Sequence, residues 1–162
     1  MRARSRSARA APAAPGGSPR STALTLLGRR DYTTRELTDK LQARGFPAGD
    51  VDAALRRLMA DGLLDDRRVA ATYVRTATRV KGRGRIRIAL ELQARGVNKA
   101  LIEDVLGRVA PEDETQAIQA ILVKRRWPAR PTLADRRRMF HHLLRRGFAA
   151  DVIAKAMREV PE

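Results

Sequence analysis

The side chains that could do chemistry in this chain are mostly guanidinium groups. Residues 79–87 read RVKGRGRIR, placing Arg79, Lys81, Arg83, Arg85 and Arg87 in one short stretch without an acid. A guanidinium is a rigid fork of donors that stays charged, so such a run suits phosphate or carboxylate. Its two glycines let backbone approach a partner closely. Ile86 and Ile88 are expected to face the core and to leave Arg85 and Arg87 outward. A second set gathers Lys124, Arg125 and Arg126 next to Trp127, with Arg136, Arg137 and Arg138 further on. The indole is suited either to stacking on a base or to plugging the core. Both sets are read as surfaces for a protein partner or nucleic acid.

The remaining constellations point away from catalysis. His141 and His142 are neighbours, and adjacent helical residues point about 100° apart, which is unfit for chelating one metal. Asp65 and Asp66 sit at a helix start, where acids favour the dipole. The KGRG run (81–84) lacks the GxxxxGK[ST] spacing of a phosphate loop. There is no cysteine, and the only serines are Ser5, Ser7, Ser18 and Ser21. Thiol nucleophiles, disulfides, cysteine-ligated zinc and a serine triad therefore drop out. The chain is read as a non-enzyme without cofactor or metal.

Composition agrees. The chain has 162 residues, 34 Lys+Arg against 18 Asp+Glu and a formal net charge of +16. Such a balance favours a polyanionic partner. The excess is uneven: residues 1–20 carry +5, 21–64 only +1, 65–100 carry +7 and 101–162 carry +3. No apolar run approaches the ~18–20 residues of a membrane span, so no membrane partner is expected. A cytoplasmic, monomeric protein is a separate expectation, and the sequence itself does not display oligomeric state. Residues 1–20 hold no acid and almost no large apolar side chain, and read as a disordered basic tail.

The elements that must position these groups are helical throughout, and they repeat. LQARGFPAGDVDAALRRL (41–58) aligns without gaps to LQARGVNKALIEDVLGRV (92–109) and to LLRRGFAADVIAKAMREV (143–160). Gly45, Gly96 and Gly147 are spaced by 51 residues. Each follows an Arg and precedes an apolar residue, as a left-handed helix C-cap does. Apolar positions follow at fixed offsets: Val51, Leu55 and Leu58; Ile102, Leu106 and Val109; Ile153, Met157 and Val160. A fixed period of this size marks stacked supersecondary units. Each period fits three helices: 21–29, 33–44 and 48–60; 65–79, 84–95 and 99–109; 112–126, 132–146 and 149–160. The expected architecture is all-α, an elongated array of three tandem three-helix repeats spanning 21–64, 65–110 and 111–162. Thr33–Glu36 and Thr132–Asp135 are capping-box signals.

Residues 33–64 also fit a helix-turn-helix DNA reader. A recognition helix presents positive charge at its N-terminal end. Here that helix opens with Asp50 and Asp52, and helix rather than a two-stranded wing follows.

The string GLLDD followed by Ala70, Tyr73 and Val74, the KGxG…I…L…GV block of the second repeat and the closing L-x-RGF together resemble the RecX family of regulatory proteins. The likeness covers about residues 23–160. Val69 departs from it, standing where the family has Phe, and so does the run before KGRG. The resemblance implies a modulator, chiefly an inhibitor, of the RecA recombinase. It implies binding to the RecA–DNA filament, with direct contact to single- or double-stranded DNA weaker or indirect. Suppression of ATPase, strand exchange and filament extension in DNA repair and the SOS response would follow. The basic sets above are the residues expected to make the contact, with reversal of Arg83 and Arg85 as the first test.

Overall fold

The computed structural model describes residues 16–158, so residues 1–15 of the basic tail and residues 159–162 lie outside it. Among the described residues every regular element is a helix: α1 Pro19–Leu27, α2 Thr34–Gln42, α3 Ala48–Ala60, α4 Asp66–Arg79, α5 Arg85–Ala94, α6 Lys99–Gly107, α7 Pro111–Lys124, α8 Leu133–Arg145 and α9 Ala150–Arg158. The ends fall within a few residues of the sequence expectation. Order begins earlier than residue 21, because Ser18 and Ser21 form a reciprocal capping box that starts α1.

The described residues divide into two compact units, one on either side of the Asp65–Asp66 peptide bond. The first holds α1 to α3 around Leu37, Leu41, Val51 and Leu58, all fully buried. The second holds six helices around two cores. One gathers Ile88, Leu92 and Ile102; the other gathers Met139, Leu143 and Ile153. The equivalence at 51-residue spacing is therefore physical. Leu41, Leu92 and Leu143 are each 0 % exposed. Burial of a side chain of that size contributes ~1.5–3 kcal/mol, so each core rests on a handful of such groups.

The repeated glycines end α2, α5 and α8 in one geometry. Gly45, Gly96 and Gly147 have φ of 90°, 81° and 84°. The following N–H of Phe46, Val97 or Phe148 donates back to the carbonyl of Leu41, Leu92 or Leu143, as in a Schellman cap. Phe46, Val97 and Phe148 are then buried. Capping boxes start α2 (Thr33 with Glu36) and α8 (Thr132 with Asp135).

Within the second unit the two repeats are joined through backbone. The N–H of Gly84 donates to the carbonyl of Arg146 at 2.9 Å, and that of Ile86 to Gly147 at 3.1 Å. A Cβ on Gly84 would lie 2.3 Å from the Gly147 carbonyl carbon, and one on Gly147 would lie 2.4 Å from Cβ of Arg87. The close approach allowed by the KGRG glycines is thus made to the chain's own third repeat. Glu114 of α7, 4 % exposed, seals the seam by accepting the Arg85 N–H at 3.0 Å. Burial pushes its carboxyl above the ordinary range, and the Arg85 N–H offsets this only in part.

Two expectations for α5 fail here. Ile86 is 54 % exposed rather than buried. On a helix, positions two apart face different ways, so only Ile88 can reach the core. Arg85 is half-buried instead of outward: its guanidinium donates to the Leu106 carbonyl.

Candidate binding surface

The first basic set splits by environment. Arg83 and Arg87 converge on Glu91. Arg87 Nε lies 2.7 Å from Glu91 Oε1, and Arg83 bridges Glu91 Oε2 and the Tyr73 hydroxyl. The Tyr73 hydroxyl donates to the same carboxylate at 2.6 Å. Lys81 and Arg95 stand 5.4 Å and 5.2 Å from the Tyr73 ring centroid. Burial alone would raise the Glu91 carboxyl, but bonds from Tyr73, Arg87 and Arg83 outweigh it and hold it low. Burial, with Glu91 beside it, raises the Tyr73 hydroxyl. Arg83, Arg85 and Arg87 thus serve intramolecular contacts, although Arg87 keeps its side chain half exposed.

Arg79 faces a different place, which Lys81 also borders. The end of α4, the KGRG connector and α7 enclose a groove of about 360 Å³. Arg79, Lys81, Lys124, Arg125 and Arg146 line it, and no acid does. The structure therefore brings two residues of the first set beside two of the second. Arg79 pairs with Asp113, 3.3 Å away, which is not part of the groove lining. Lys124 and Arg125 have no ion-pair partner among the described residues. Ala117, Ala120 and Ile121 form an apolar floor. Cations over an apolar floor attract anions strongly, because the low-dielectric wall concentrates their field.

Arg146 is a groove residue that charge clustering along the sequence does not single out, although its Arg-Gly context recurs in every repeat. Its guanidinium donates to the carbonyls of Lys81 and Gly82 at 2.8 Å and 3.1 Å, and its Nε to His142 Nε2 at 3.0 Å. It holds the connector shut against α8 while adding charge to the groove.

The rest of the second set continues the basic surface. Arg126 ends α7 at φ 52°, the left-handed region that favours glycine, and is exposed. Trp127 packs half-buried on the third core, so it acts as a plug. Arg137 and Arg138 line a hollow of about 560 Å³ along α8, which Arg125 also borders. Arg138 pairs with Asp135 at 2.7 Å. Arg136 is exposed too, but one position from Arg137 it stands about 100° round the helix, off that line.

The first unit offers no comparable surface at its α2–α3 hairpin. Asp50 lies in the first turn of α3, and the segment after α3 is helix α4, not a wing. Among the described residues no helix is long and apolar enough to cross a membrane, and no group of His, Cys, Asp and Glu is placed to hold a metal.

Comparison with known proteins agrees with this architecture. Residues 20–58 match the model of the first three-helix domain of RecX, and residues 65–106 match the second. Regulatory protein RecX of Halorhodospira halophila is 40 % identical over 146 residues, 88 % of each chain. That of Deinococcus radiodurans is 39 % identical over 142 residues, 86 % of this chain and 67 % of the relative. The crystal structure of RecX from Lactobacillus salivarius superposes with a TM-score of 0.80 at 23 % identity, covering 87 % of this chain and 93 % of that one. Tandem three-helix repeats, a shared cap geometry and similarity along most of the chain lead to one assignment: this protein belongs to the RecX family of regulatory proteins.

Proposed function

We propose that the protein is a non-enzymatic regulator of the RecA recombinase in the cytoplasm, acting as an inhibitor. It binds the RecA–DNA filament and limits ATPase, strand exchange and filament extension. One observation supports this beyond family membership: the acid-free groove of Arg79, Lys81, Lys124, Arg125 and Arg146. Its five cations meet acidic groups of the filament. Arg83, Arg85 and Arg87 support the groove from behind through Glu91, Leu106 and the Gly147 turn. Arg126 and Arg136 to Arg138 extend the contact.

The direct test is the DNA-dependent ATPase of the cognate RecA with and without this chain. Inhibition by the wild type and its loss in K124E/R125E is the expected result. These two are better targets than Arg83 and Arg85, whose reversal would break internal contacts. A simple DNA binder would instead bind bare and RecA-coated DNA equally at ~0.15 M salt, with a log K slope of roughly −0.9 per phosphate neutralised. Preferential capture by coated DNA supports the regulator.

A further inference from the structure

A second opening lies beside the basic groove and shares only Thr78 and Arg79 with its lining. One face of α4 carries Ala71, Val74, Arg75, Thr78 and Arg79 at three- and four-residue spacing. It meets Val105, Arg108 and Val109 around the end of α6, and Asp113 in the first turn of α7. Together they enclose a cleft of about 210 Å³. Val74 and Val105 are buried and Val109 is half-buried, so the walls are apolar. Apolar walls with a few converging polar groups are the usual make-up of a small-molecule site.

Two polar groups of the cleft have nothing to bond to. Thr78 is 3 % exposed, yet its hydroxyl makes no hydrogen bond among the described residues. A buried hydroxyl left so costs free energy, and a helical threonine ordinarily avoids this by bonding the carbonyl four residues back, as Thr38 does to Thr34. Arg75 is exposed at the rim and has no ion-pair partner among the described residues. The other cations are served unequally. Arg79 has Asp113, which also borders the cleft. Arg108 lies 3.4 Å from Asp104, whose nearer cation is Arg67 at 2.7 Å. Three guanidinium groups thus border the cleft against one carboxylate.

We propose that this cleft is a binding site for a small branched aliphatic carboxylate. The carboxylate accepts from the Thr78 hydroxyl and pairs with Arg75, with Arg108 beside it. The alkyl chain covers Val74, Val105 and Val109. The space equals about seven groups of the ~30 Å³ that a water takes in the liquid, which is the size of a carboxylate on a branched four-carbon chain. Sulfate or phosphate has no apolar part to lay on the valines. A chain of the same shape with an ammonium head cannot accept from Thr78 and is repelled by the arginines.

The test needs neither RecA nor DNA, so it can fail without touching the proposal above, and the reverse holds too. Full-length protein is titrated with 3-methylbutanoate at fixed salt and neutral pH, and backbone amide shifts are followed. Saturable shifts at residues 74–79 and 105–109, with a millimolar midpoint, are expected. R75Q should weaken binding about tenfold, the loss of one bond between charged groups. T78V keeps the shape of the side chain and should weaken binding about fivefold. Because the hydroxyl has no partner within the chain, T78V should leave thermal stability unchanged. Isobutylamine, with the same chain and a positive head, should not bind. Shifts confined to Lys124 and Arg125 would put the anion in the basic groove and overturn the site. Equal competition by sulfate overturns the aliphatic part of the assignment, and full affinity in T78V overturns the role of Thr78. Much tighter binding of an N-acetylated tripeptide ending in leucine overturns the small-molecule assignment in favour of a protein C-terminus.

Discussion

The first unit and the second build the same helix pair and use it differently. In both, an i, i+4 apolar pair is followed by a left-handed glycine and a buried residue: Leu37, Leu41, Gly45 and Phe46 in one, Met139, Leu143, Gly147 and Phe148 in the other. In the first unit this motif closes a self-contained three-helix core whose residues 21–64 carry a net charge of +1. In the second unit it also serves as a dock, because the Gly147 turn receives the backbone of Gly84 and Ile86. Residues 65–162 carry +10. Fusing two repeats brings connector cations and α7 cations into one groove, which a single repeat cannot do.

The largest expected effect tests that fusion. Gly84→Ala places a methyl group against backbone that cannot swing aside. Overpacking of this kind costs ~3 kcal/mol or more. Gly62→Ala in the first unit has open space and φ 69°, so it should cost only the ~1–2 kcal/mol of the left-handed conformation. Thermal unfolding resolved by hydrogen exchange should place the Gly84 loss in residues 66–158. Equal losses for the two variants would mean that the backbone dock carries no weight.

Next comes the contrast in charge. K124E/R125E should reduce inhibition of RecA ATPase at least tenfold. R56E/R57E, on the exposed face of α3 in the near-neutral unit, should leave it within twofold. Similar losses from both pairs would relocate the contact away from the groove.

Much of the fold can be read from residue order because its determinants are local. Caps are set within four residues, and the repeat places Leu41, Leu92 and Leu143 without knowledge of what they touch. The site is legible only in outline, because its determinants are not local. Glu91 neutralises Arg83 and Arg87 from one or two turns along α5. Glu114 reaches Arg85 across 29 residues, and Arg146 reaches Lys81 across 65. Spacing shows that the cations cluster; it does not show which are already engaged. Gly84 is a related case. Its presence in a basic connector suggests freedom to meet a partner, and the partner is Gly147.

Glu114 gives an intermediate effect with a defined sign. Glu114→Ala leaves the buried Arg85 N–H without an acceptor, a loss of ~1–3 kcal/mol. Glu114→Gln keeps an acceptor and should cost much less near neutral pH. The folded-state pKa of Glu114 lies above its unfolded value. Its contribution is therefore fully present below the unfolded pKa and falls as pH rises through the folded one. Denaturant unfolding from pH 4 to pH 7 should show the stability of the wild type falling relative to that of Glu114→Gln, since groups such as Glu91 titrate alike in both. A parallel course for the two would remove Glu114 from the pH dependence.

The smallest expected difference separates two tyrosines. Each has a pair of cations over its ring: Arg30 and Lys40 over Tyr32 in the first unit, Lys81 and Arg95 over Tyr73 in the second. Phenylalanine keeps that attraction in both places. Only Tyr73 uses its hydroxyl within the described residues, giving to Glu91 and receiving from Arg83. Tyr73→Phe removes a bond to a charged group, about 1.5–3 kcal/mol at most, discounted because Glu91 keeps Arg83 and Arg87. A net loss of about 1 kcal/mol is expected, against almost none for Tyr32→Phe. Denaturant midpoints of the two variants decide this. If Tyr32→Phe costs as much as Tyr73→Phe, the ring contacts rather than the Glu91 network stabilise these sites, and Arg83 would be freer to meet a partner than its bonds here imply.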